Sequence, residues 1–168
     1  MLAFCVSLAV LCPLVAQEAK SGAWRSATDA ELKSLIPARA PVIQERIETE
    51  LRTASGITNS KGKFVAGVVL ITAGYSAEGK YSHFFIAQVP LKIGTMRLNA
   101  GEYLIGWKHN EDSLTVNFYE AMSGKFLGSV EAVKNESVTR VESFRIWPPG
   151  DKSVIQIGRF TFSYQLEN

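Results

Sequence analysis

From Phe64 onward, apolar side chains recur at every second position, in segments separated by clusters of Gly, Asn, Asp, Ser and Pro. A period of two sends successive side chains to opposite faces of an extended chain, so these segments must bury a face as strands rather than a stripe as helices. In Glu102–Lys108, Tyr103, Ile105 and Trp107 share one face and Leu104 and Gly106 the other. In Ser113–Glu120, Leu114, Val116 and Phe118 point inward while Thr115, Asn117 and Tyr119 point outward. Turn chemistry at Asn99-Ala100-Gly101, Ser123-Gly124 and Pro148-Pro149-Gly150-Asp151 separates the segments. Strands spaced in this way, at intervals of about 8–12 residues, predict a mainly β fold. We expect an antiparallel β-sandwich or barrel of about eight or nine strands within residues 63–166.

Phe64–Ala73 departs from alternation and is nearly continuously apolar, which predicts a central strand covered on both faces. Gly67 inside it marks a bulge or a close approach of another group. Ala77-Glu78-Gly79-Lys80 turns the chain into a partner strand over Tyr81–Val89, rich in aromatic residues. Leu91–Leu98 is a short strand punctuated by Gly94, and Phe126–Val133 and Val138–Trp147 are two more. Ser153–Leu166 closes the domain as one strand bent or bulged at Gly158, because Ile155 and Ile157 alternate out of phase with Phe160, Phe162 and Tyr164.

Upstream, the pattern predicts a helical hairpin over residues 28–56, packed on the sheets. Thr28-Asp29-Ala30-Glu31 is a capping box, Leu32, Leu35 and Ile36 follow at helical spacing, and Pro37 stops the helix. Pro41 suits the first position of a second helix, in which Ile43, Ile47 and Leu51 make a stripe. Arg46 with Glu50 and Glu48 with Arg52 would pair across its wet side, and Gly56 would supply a left-handed cap.

Both cysteines, Cys5 and Cys12, fall in the apolar run Met1–Ala16, which has the length of a signal-peptide core and falls short of the roughly 20 residues a spanning helix needs. Residues 1–16 are therefore expected to be a cleaved signal peptide, residues 17–27 a flexible leader anchored by Trp24, and residues 28–168 a single domain. The mature chain would be exported, periplasmic or extracellular, free of cysteine, and without a stable membrane span. Eighteen Lys and Arg against sixteen Asp and Glu, interspersed along the chain, give no footprint for nucleic acid.

The sequence carries no catalytic constellation: there is no Gly-x-Ser-x-Gly elbow, and histidine occurs only at His83 and His109. His83 alternates with Tyr81 and Phe85, as a core or barrel-lining histidine does. His109 sits at a hairpin tip with Glu111 and Asp112, a trio that turn chemistry alone explains and that lacks the further ligands a tight metal site requires. No cofactor or metal is expected. Glu102, Glu120, Glu131 and Glu142 lie on strand segments and keep two-carboxylate chemistry formally open. The aromatic residues are the positive signal: Trp107 and Trp147 near strand ends, with Tyr75, Tyr81, Tyr103 and Tyr119, suit either packing or a ligand platform.

Three readings follow from these features. The first is an exported, non-enzymatic module that binds a protein or supports an envelope assembly. The second is a carrier of a small apolar ligand, its cavity lying between the helical hairpin and the strands that carry Phe84, Phe85, Tyr103 and Trp107, with His83, Phe85, Tyr103 and Trp107 as its binding residues. The third is a hydrolase of an envelope polymer using strand carboxylates.

Overall fold

The computed structural model describes residues 23–72 and 80–167, which hold one short helix and thirteen strands. The expected signal segment with both cysteines, most of the leader, Ala73, Gly74, Tyr75 and the turn at residues 77–79 lie outside the described residues. Every pairing is antiparallel.

The chain begins with β1 (Trp24–Ser26), α1 (Asp29–Leu35), β2 (Arg39–Val42), β3 (Glu45–Asn59) and β4 (Phe64–Leu70). It continues with β5 (His83–Ala87), β6 (Leu91–Ile93), β7 (Met96–Leu98), β8 (Gly101–His109) and β9 (Ser113–Glu120). It ends with β10 (Phe126–Lys134), β11 (Glu142–Ile146), β12 (Val154–Gly158) and β13 (Phe160–Leu166). The sheet runs β1-β3-β4-β5-β8-β9-β10-β13-β12-β11 and curls into a nearly closed barrel.

The predicted first helix is present. The Thr28 hydroxyl accepts from the Glu31 amide, the Glu31 carboxylate accepts from the Thr28 amide at 2.8 Å, and Ile36 caps the other end. The second helix is not, so the helical hairpin expected over 28–56 is replaced by one helix and the β2–β3 hairpin. The reason lies in the spacing itself. Residues 43, 47 and 51 are four apart, and four is both one helical step and two strand periods. Thr49, between Ile47 and Leu51, is buried, as it is on the inner face of a strand. Pro41 lies on β2, which pairs only with β3, so its missing N–H faces no further strand. Arg52 pairs with Glu50, two positions away on the same strand face, with nitrogen and oxygen 2.7 Å apart. Gly56 is not a left-handed cap but a strand residue whose missing side chain lets Leu32 and Ala66 approach.

The larger strand count has an equally local cause. Gly94 and Gly158 adopt φ of +59° and +63°, each at the first position of a two-residue turn, so they split two expected strands into the hairpins β6–β7 and β12–β13. The bend or bulge expected at Gly158 is therefore a reversal of direction. Trp24–Ser26, at the end of the expected leader, pairs with Ile57–Asn59 as β1.

Two apolar clusters flank the wall formed by β4, β5 and β8. Val65, Phe85, Ile105, Val116, Phe118 and Phe162 fill the barrel interior. Ala66, Val68, Leu70, Phe84, Ile86 and Leu104 point outward and are covered by Leu32 and Ile36 of the helical segment and by Ala40 and Val42 of β2. The continuous apolar character of Phe64–Leu70 follows from this double cover.

The seam between β11 and the start of the sheet carries no ladder. Instead the Ile146 N–H donates to the Ser55 hydroxyl at 3.0 Å, and the Phe144 ring occupies the space over Gly67. A Cβ on Gly67 would stand 2.5 Å from Phe144 Cε1, closer than any carbon contact allows. Gly67→Ala should therefore destabilise the domain by about 1–3 kcal/mol in urea unfolding. Adding Phe144→Leu should return part of that loss, whereas additive losses would show that the two positions do not meet.

Candidate functional site

At one end of the barrel the strands leave a cavity of about 530 Å³, and not between a helical hairpin and the strands as expected, since no described lining residue comes from 28–56. Its walls come from the last residues of β4 (Val69, Leu70), β8 (Trp107, His109) and β12 (Ile157, Gly158). The first residues of β5 (His83), β9 (Leu114), β11 (Glu142, Ser143) and β13 (Phe160) complete it, with Thr72, Ser82 and Val141 beside them. In an antiparallel barrel the ends of some strands and the starts of their neighbours meet at one rim, so these distant segments converge. The lining is mostly apolar, and its volume is that of a small-molecule site.

His83 is nearly fully buried at the cavity wall. Its ring packs on Phe144, with centroids 5.0 Å apart and planes tilted by 41°. Nε2 lies 3.5 Å from the Ser143 carbonyl oxygen, which can only accept, so a bond there requires the proton on Nε2. Nδ1 is then free to accept from the Ser82 hydroxyl at 2.8 Å, while the Ile105 carbonyl, 3.1 Å from the same hydroxyl, keeps its bond from the Ser82 N–H. Burial pushes the imidazole down to about 4, against a weaker opposing effect of the Ser143 carbonyl. The ring is neutral at physiological pH and a poor general base, so the Ser82–His83 contact is not an activated nucleophile pair.

Trp107 presents the largest ring of the lining, and its indole N–H is buried without an acceptor among the described residues. His109 packs edge-on against Phe160, with centroids 5.6 Å apart. Glu142 lies 3.1 Å from the Arg140 guanidinium. No described lining residue is Lys or Arg, and Glu142 is the sole carboxylate among them. Among the described residues no group of three or more His, Cys, Asp and Glu is placed to hold a metal ion. No helix among them is long and apolar enough to cross a membrane.

The chain matches no protein-family model, no curated protein and no solved structure.

Of the four residues expected to bind ligand, the fold brings His83 and Trp107 together in the cavity lining. Phe85 is fully buried deeper in the barrel, in contact with the Tyr103 and Phe118 rings at centroid distances of 6.4 and 6.3 Å. Tyr103 donates its hydroxyl to the Asn99 carbonyl at 2.6 Å, near the opposite end of β8. Sequence reasoning did not single out Val141, Ser143, Ile157 or Phe160 for the site. They enter it through strand pairings between segments far apart along the chain.

The buried histidine makes stability depend on pH in a definite direction. Its folded value lies below its unfolded one, so the unfolded chain binds the proton first as pH falls. Stability should be complete above about 6.5 and decline as pH falls toward about 4, by roughly 3 kcal/mol in all from this group. In His83→Gln, urea unfolding followed across that window should lose this part of the slope. An unchanged slope would mean that the imidazole is not buried.

Proposed function

We propose that this domain is an exported binding protein whose barrel-mouth cavity takes a small, largely apolar ligand. The observation carrying this reading is the formed cavity, about 530 Å³, walled by Val69, Leu114, Ile157, Phe160 and Trp107 and backed by a neutral histidine. Sites of this size and lining bury most of a small molecule and orient it with a few polar groups. Against hydrolysis through paired carboxylates stands the lining itself, in which Glu142 has no second described carboxylate facing it. The protein-interaction reading draws support from Met122 and Phe126, both more than half exposed near the β9–β10 turn. Two such side chains are ordinary for a soluble surface, so it ranks second.

Nile red, a neutral dye whose emission rises in apolar surroundings, tests the cavity directly. Binding with enhanced, blue-shifted emission is expected. Val141→Trp should weaken it by about tenfold, or 1.4 kcal/mol, by filling the rim. Val141 is 58% exposed, so thermal unfolding should not change. Absence of dye binding, or binding indifferent to a tryptophan at the rim, would remove the reading.

A further inference from the structure

The described lining of the cavity is specific about the charge of what it holds: beside its apolar and aromatic walls it offers hydroxyls, two histidines and a single carboxylate, Glu142.

The same wall lacks any means of neutralising an anion. No Lys or Arg is among the described lining residues, and the guanidinium of Arg140 is engaged at 3.1 Å by the Glu142 carboxylate. Glu142 itself would repel a second negative charge. The imidazole of His83, buried against Phe144, resists becoming cationic. A carboxylate brought into this setting loses its water and gains no counter-charge, a cost that ordinary hydrogen bonds do not meet.

We infer that the cavity selects an uncharged ligand with an apolar body and discriminates against the corresponding carboxylate. The inference rests on the binding reading above and narrows it to a ligand class.

Competition against bound Nile red, with decanol, decanoate and decylammonium at neutral pH, reads the preference on the unmodified protein. Decanol should displace the dye at about one-tenth the concentration of either ion or less, the difference expected when one competitor must bury an unpaired charge. Equal or tighter binding of decanoate would overturn the inference while leaving the binding reading intact. Tighter binding of decylammonium would overturn it too, in favour of a site governed by Glu142. Failure of Nile red itself to bind would remove both.

Discussion

The contact between Phe144 and the bare backbone of Gly67 sets the shape of this molecule. A twisted antiparallel sheet of this length must close on itself or leave two long edges open to pairing. Here closure is made without a final ladder. The last strand in the sheet order brings an aromatic ring over a glycine, and one side-chain hydrogen bond, from the Ile146 amide to Ser55, ties the backbones together. The missing Cβ decides the matter, because any side chain at residue 67 would occupy the space that the Phe144 ring fills.

The same ring connects the seam to the cavity. One side of Phe144 meets Gly67 and another meets the His83 imidazole, so the residue that closes the barrel also fixes the histidine in the cavity wall. Elsewhere in the interior Phe85, Phe118 and Phe162 are buried with their rings meeting edge to face. A cavity with walls from seven strands is largely pre-formed, which lowers the ordering cost of binding.

What the sequence made legible was facing, and what it hid was height. Alternation placed Tyr103, Ile105 and Trp107 on one face of β8, and all three do point into the barrel interior. Yet Trp107 lines the cavity while Tyr103 bonds to Asn99 near the other end, because position along the barrel axis depends on which strands pair and in what register. His83 and Phe85 divide in the same way on β5. Capping chemistry is local, so Thr28 and Glu31 announced their helix without ambiguity. Residues 43–51 did not, since a spacing of four satisfies both periods and the deciding partner strands, β2 and β4, are set by tertiary pairing. Gly94 and Gly158 were visible as breaks, but a break in alternation does not say whether the chain bends or reverses.

The polar groups at the mouth gain their meaning only from this assembly. Ser82 and Ser143 are ordinary residues in their own segments, and neither belongs to a recognisable motif. Brought together by the pairing of β5 with β8 and the closing approach of β11, they fix the histidine tautomer, while the Trp107 N–H stays buried without an acceptor among the described residues. An unmet donor of this kind weakens the fold, so it is the apolar face of the indole, packed on the interior cluster, that holds Trp107 in the wall. With no Lys or Arg on the described lining and the imidazole buried against Phe144, a negative charge brought to the mouth would find no partner there.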